Sequence, residues 1–237
     1  MFPLKTTEKV NSWPVITWLL IAINVFVFTQ QIAVADPSAF IHQWGLVPGH
    51  YPHLFSASAH KDLLSAEALL PFATSMFLHG GLWHLLGNML SLFVFGPNVE
   101  DRFGHFGFLI VYLACGLAAG ITQIAFTTDA GAHVPVVGAS GAIAGVMGAF
   151  FVMYPKARVV SVIPVIVIPL IVRVPAFFYL LFWIGMNVIN ALKEMQLSFT
   201  DTESAGVAWW AHIGGFAIGM IYAAILARKK PKEEPGD

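Results

Sequence analysis

Apolar residues gather into six long runs, at roughly 14–32, 76–95, 105–127, 140–154, 175–192 and 206–227, with prolines and charged residues concentrated between them. Runs of this kind predict membrane-crossing helices, because roughly 20 residues at about 1.5 Å rise cover a ~30 Å hydrocarbon core. Ser12 reads as the cap of the first run, with Pro14 where a missing N–H does no harm. Lys5 and Lys9 before that run, and Ala33-Val34-Ala35 after it, also suit a cleaved signal peptide. Its apolar stretch exceeds the usual core of such a signal, about 7–15 residues, so a retained span is expected.

A further apolar stretch, Val159 to Val172, is broken by Pro164 and Pro169 and is short for a crossing. It reads as interfacial or re-entrant. The basic residues bear on that reading. If the stretch does not span, Lys5, Lys9, Arg102, Lys156, Arg158, Arg173, Arg228, Lys229, Lys230 and Lys232 share one side, and only Lys61 and Lys193 lie on the other. Basic residues concentrate on the cytoplasmic side of membrane proteins, which favours six crossings over seven and puts both termini in the cytoplasm.

Composition agrees with the pattern. Apolar residues make up 57% of the chain and charged ones 11%, and the mean hydropathy is +0.75, outside the range of soluble globular domains. The chain's 237 residues suffice for one all-α bundle of about six spans, and a separate soluble domain does not fit comfortably beside it. The expected organisation is a cytoplasmic segment at 1–13, a membrane domain at 14–227 and a charged cytoplasmic tail at 228–237. The single cysteine, Cys115, excludes an internal disulfide and a multi-thiolate metal site, and reads as a small packed residue.

On this topology the second, fourth and sixth runs all descend from the outer side, and each carries polar residues in its first half: His84 and Asn88, then Ser140, then His212. The fourth run, Ser140 to Tyr154, spans only about 22 Å as a helix. With Pro155, Lys156 and Arg158 holding its far end at the inner interface, Ser140 lies below the outer surface but within reach of water. A serine between glycines in a membrane helix reads first as a packing residue. Gly141 with Gly145, and Ala144 with Gly148, are the small pairs that let backbones approach closely. Close approach would also serve chemistry, because Gly215 and Gly219 share a face with His212 and would bring its imidazole to Ser140.

An ionisable residue inside the membrane is a functional candidate, with a structural interhelical hydrogen bond as the alternative for His212. His84 and Asn88 stand at i and i+4 on one face. Together with the unbonded N–H of Ser140 at its helix start, they supply the donors an oxyanion hole needs, although plain interhelical hydrogen bonds would use the same groups. His79 reads as structural. The remaining histidines, His42, His50, His53, His60, His105 and His133, fall in loops or at helix ends, and no metal-ligand spacing such as HExxH occurs. Gly138-Ala139-Ser140-Gly141-Ala142 is not the GxSxG elbow of soluble hydrolases, and no Asp or Glu lies within a run. Hydrolysis would therefore run through a Ser140–His212 dyad, with no cofactor or metal expected.

Taken together these motifs resemble a known family. Gly138-Ala139-Ser140-Gly141 is similar to the GxSG motif of the rhomboid intramembrane serine proteases, and His84-Leu85-Leu86-Gly87-Asn88 to their HxxxN element. Ala211-His212 through Gly219 resembles the family's last-helix histidine with a GxxxG step, and Glu100-Asp101-Arg102-Phe103-Gly104 its short loop after the second helix. The similarity runs from about residue 44 to the end of the sixth run. It implies a six-helix bundle around a short fourth helix, and cleavage of transmembrane proteins at a small residue in a helix that unwinds easily. Ser140 would be the nucleophile and His212 the general base. His84, Asn88 and the Ser140 amide would form the oxyanion hole, Gly138 and Gly141 would shape the site, and Gly145, Gly215 and Gly219 would pack helices. The implied partners are transmembrane protein substrates and the lipid bilayer, with no nucleic acid or metal and no oligomeric state indicated. The expected location is a multi-pass position in a bacterial or archaeal cell membrane. By analogy the fifth helix and the loop around 194–205 gate entry. One departure is the first outer loop, about 33–75, which lacks the Trp-Arg pair of many members and leaves Trp44, Trp83 and Phe55 as interface anchors.

Two other functions compete with protease. A catalytically silent rhomboid-like binding or trafficking module usually loses a member of the dyad, and both are present. A small transporter would line a through-path with polar residues, whereas here they cluster on one side and no inverted repeat is evident.

Overall fold

The computed structural model describes residues 2–52, 54, 65–165, 168–197 and 207–227. Phe55, His53, His60, Lys61, the tail at 228–237 and the part of the 194–205 loop beyond residue 197 lie outside the described residues. In chain order the elements are β1 (Phe2–Thr6), α1 (Val15–Ala33), α2 (Pro37–Trp44), α3 (Ala66–Thr74), α4 (Leu82–Phe126), α5 (Ser140–Met153), β2 (Arg158–Val165), β3 (Ile168–Pro175), α6 (Ala176–Leu197) and α7 (Trp209–Ala227). Among the described residues, four helices are long and apolar enough to cross a membrane: α1, α4, α6 and α7. The fourteen-residue α5 is apolar but shorter.

α4 takes in two of the apolar runs. Its 45 residues would reach about 67 Å if straight, more than twice a hydrocarbon core. They are not straight. Gly104, at φ 72° and ψ 164°, interrupts the helix with a left-handed backbone that glycine adopts without strain. Beyond it the chain returns to the end it left: Gly116 lies against Met76, Gly120 against Leu46 and Phe72, and Gln123 Oε1 accepts from the N–H of Ala211 at 3.1 Å. The expected loop at Glu100 to Gly104 is therefore a single-residue break, with Glu100 to Phe103 still helical. Their charged side chains do not end the helix, because Glu100 has partners on α1.

Those partners explain a second correction. Ser12 does not cap α1, whose N-cap position is held by Pro14 with no side-chain hydrogen bond. The wholly buried Glu100 carboxylate accepts instead from Ile16 N and Thr17 N, each at 2.8 Å, and from Thr17 Oγ1 at 2.7 Å. A carboxylate at a helix N-terminus meets the free N–H groups and the positive end of the dipole. Ser12 turns the other way and donates through Oγ to Asp101 at 2.6 Å.

The stretch at 159–172, expected to be interfacial or re-entrant, forms strands. β2 and β3 pair antiparallel, with Pro164 opposite Pro169, and β1 adds to β2 to make a three-stranded sheet. Dense valine and isoleucine favour an extended backbone, and the prolines that argue against a helix sit together at the turn end of the hairpin. The protein is thus mostly helical rather than all-α. The sheet also ties the N-terminus to the bundle, since Thr6 Oγ1 donates to Asn98 Oδ1 at 2.7 Å and Tyr154 OH to Asn98 O at 3.0 Å. The elements that carry Lys5, Lys9, Arg102, Lys156, Arg158 and Arg173 thereby lie at one end of the bundle.

α5 forms the axis, with every residue from Gly141 to Phe150 buried. It packs on α7 through glycines: a Cβ at Gly215 would strike the Gly141 carbonyl, and one at Gly219 the Gly145 carbonyl. Gly148 lies equally close to Phe216 O, and Gly145 to the Cys115 side chain. Large apolar side chains point outward elsewhere, among them Phe26, Phe178 and Phe182, as expected of a surface solvated by lipid tails.

Candidate active site

Just before α5 begins, the chain passes close against α4. Gly138 holds φ 125°, and its N–H donates to Ser75 O at 2.9 Å. A Cβ there would lie 2.8 Å from His84 Nε2 and 3.5 Å from Asn88 Nδ2, so both the backbone angle and the space require glycine. Ala139 follows as the N-cap and Ser140 opens the helix, where first-turn N–H groups have no helical acceptor.

His212 reaches Ser140 from the first turn of α7, with Nε2 2.8 Å from Oγ. Its Nδ1 lies 2.6 Å from Asn187 Oδ1 on α6. Trp183 stands beside the ring at 5.5 Å between centroids, and Trp209 meets it edge-on at 6.2 Å. Across the site, His84 Nδ1 accepts from Gly80 N at 3.3 Å, which leaves the proton of the neutral ring on Nε2, the atom over Gly138. Asn88 Nδ2 is buried and has no hydrogen-bond partner among the described residues. A donor held dry and unpaired is costly unless something else fills its place.

His84, Asn88, Ser140 and His212 line one cavity of about 520 Å³, together with Trp83, Ile143, Met147 and Trp183. Residues chosen from three separate runs thus share a single space. Gly141 lies behind Ser140 rather than in that cavity, packed against Ala119 and Ala211. Trp83 is 85% exposed at the mouth, and the Trp44 carbonyl accepts from Thr74 Oγ1. His79 is buried, its backbone clasped by the Gln31 side chain, which donates to His79 O at 2.6 Å and accepts from His79 N at 3.1 Å. Asn187 is the residue that sequence reasoning passed over. Its one signal was an amide within an apolar run, and nothing in its spacing tied it to a histidine 25 residues away.

The arrangement can polarise a hydroxyl and offers donors from α4 in the same cavity. Comparisons with known proteins bear on the family. The Rhomboid domain family model matches residues 66–229. Rhomboid protease AarA of Providencia stuartii is 29% identical over 234 residues, covering 93% of this chain and 75% of that protein. Rhomboid protein 1, mitochondrial, of Saccharomyces cerevisiae is 27% identical over 73% of this chain, and the bovine presenilin-associated rhomboid-like protein, mitochondrial, 28% over 86%. The chain spans 46% of the length of each of these two. With relatives in Providencia and in mitochondria, a bacterial or archaeal membrane draws no particular support from them.

Proposed function

The chain belongs to the rhomboid family, and from that premise we propose that it is an intramembrane serine protease acting on transmembrane proteins. The observation that carries this reading is the 2.8 Å contact between Ser140 Oγ and His212 Nε2 in a cavity that His84 and Asn88 also line. His212 Nε2 takes the hydroxyl proton as Oγ attacks the scissile carbonyl carbon. The carbonyl oxygen gains the charge and is held by Asn88 Nδ2–H, His84 Nε2–H and the Ser140 N–H. The C–N bond then breaks, with the proton on His212 passing to the leaving amine. His212 next takes a proton from water, which attacks the acyl carbon; the C–Oγ bond breaks and His212 returns that proton to Ser140 Oγ.

The fold supplies what this chemistry needs in lipid. Two stretches of α4 on either side of Gly104, with α1, α5, α6 and α7, make six crossings around the short α5. The basic end of the bundle and both termini face the cytoplasm, and the cavity opens toward the other side. α5 is short enough to leave its serine end below the outer surface and open to water.

Purified protein in proteoliposomes with a single-pass model substrate tests the reading. Cleavage is expected, and it is expected to vanish in Ser140→Ala and in His212→Gln. Cleavage that survives Ser140→Ala would overturn it.

A further inference from the structure

The Asn187 amide has an orientation fixed by chemistry. The Trp183 carbonyl can only accept, so the group 2.7 Å from it is the Nδ2 amine, and the oxygen faces His212 Nδ1 at 2.6 Å. That oxygen can only accept in turn, so Nδ1 must carry the ring proton. A neutral imidazole protonated at Nδ1 has its lone pair at Nε2, the atom facing Ser140.

We propose that Asn187 is a positioning residue, holding His212 in the tautomer and ring orientation that make it a base toward Ser140. The proposal rests on the protease reading and gives it a third member, from a helix that, among the described residues, contributes no other group in contact with the dyad's hydrogen bonds. Soluble serine proteases give this task to a carboxylate, which also stabilises the imidazolium. An ionised carboxylate is costly within a membrane, and an amide directs the ring without that cost. Asn187 and His212 are both buried, which limits competition from water for Nδ1. The Trp183 and Trp209 rings both lie against the imidazole and restrict its motion.

Three measurements test this on the full chain. The first is ¹⁵N NMR of histidine-labelled protein, with the His212 signal assigned by its loss in His212→Gln. It should show Nδ1–H in the wild type and a mixture of tautomers in Asn187→Leu. The second is turnover of the model substrate. Asn187→Leu should lower kcat about 10²-fold, the scale of a misplaced catalytic group, with KM unchanged because Asn187 touches no substrate. The third is Asn187→Asp, which keeps an oxygen at the same place and should restore most of the lost kcat. A wild-type ring protonated at Nε2 would overturn the proposal even if Asn187→Leu fails to fold, as would an Asn187→Leu enzyme with unchanged kcat and tautomer. If the tautomer responds as stated but the wild type cleaves nothing, the protease reading fails while Asn187's hold on the ring stands.

Discussion

Two buried polar groups, Glu100 near the basic end of the bundle and Asn88 near the opposite end, are treated in opposite ways. Both Glu100 oxygens are engaged: Oε1 by Ile16 N and by His105 Nδ1, the latter at 2.6 Å, and Oε2 by the Thr17 backbone and hydroxyl. Asn88 Nδ2 has no partner among the described residues, and it faces a cavity. Glu100 is saturated where it sits, as a group that ties two helices together should be. On the proposed reading Asn88 is left open toward the place where charge would develop, and the scaffold bears the cost.

That contrast can be broken by experiment, and the largest effect should come from its saturated side. Glu100→Leu strips the N-terminus of α1 of its acceptor and should destabilise the protein by about 3–5 kcal/mol, read as a lowered unfolding temperature in detergent. Activity per folded molecule should hold. Asn88→Ala should do the reverse, costing about 10²–10³ in kcat, or about 2.7–4 kcal/mol of transition-state stabilisation, with little loss of stability. An Asn88→Ala protein that unfolds early but turns over normally would reverse the assignment.

Smaller effects sharpen the boundary between the two regions. Gln31→Leu removes both bonds to the His79 backbone and should cost about 1–3 kcal/mol. Faster amide exchange should follow at 78–81, the segment that leads into His84, and unchanged exchange there would mean that the clasp is idle. His79 should make the smallest difference. Burial, and after it the neighbouring His84, pushes its pKa down from 6.5 to about 4. The folded state therefore favours the neutral ring. That contribution is fully present above pH 6.5 and is lost as the pH falls toward 4, where the unfolded chain takes up the proton first. His79→Phe should flatten this acid-side decline in unfolding temperature, and an identical decline would assign it to other groups.

What was legible in the sequence, and what was not, follows from the range of the forces involved. The helices were legible because burial in lipid writes itself as continuous apolar runs, and α1, α5 and α7 begin and end within a few residues of those runs. Ser140, His84, Asn88 and His212 stood out because polar groups are rare in such runs. Their meeting in one cavity required packing, for which the glycines of α5 and α7 were the only local clue. The sheet was missed because β1 is five residues long and pairs with a strand more than 150 residues away, which no local period records. Glu100 was read as part of a loop because its partners lie on α1, and Gly104 was grouped with that loop rather than seen as the break itself. Asn187 escaped for the same reason: its role depends on a histidine of another helix, and the i−4 carbonyl that fixes its orientation is invisible in a residue pattern.

The central claim is that Ser140 is a nucleophile activated by His212. Its most direct test is peptide mass spectrometry of the membrane-reconstituted protein after reaction with a fluorophosphonate, which phosphonylates an activated serine. The account predicts one adduct, on Ser140, formed by the wild type and lost in His212→Gln although that variant keeps the hydroxyl. An adduct on another residue, or labelling of Ser140 at an undiminished rate without His212, would contradict it.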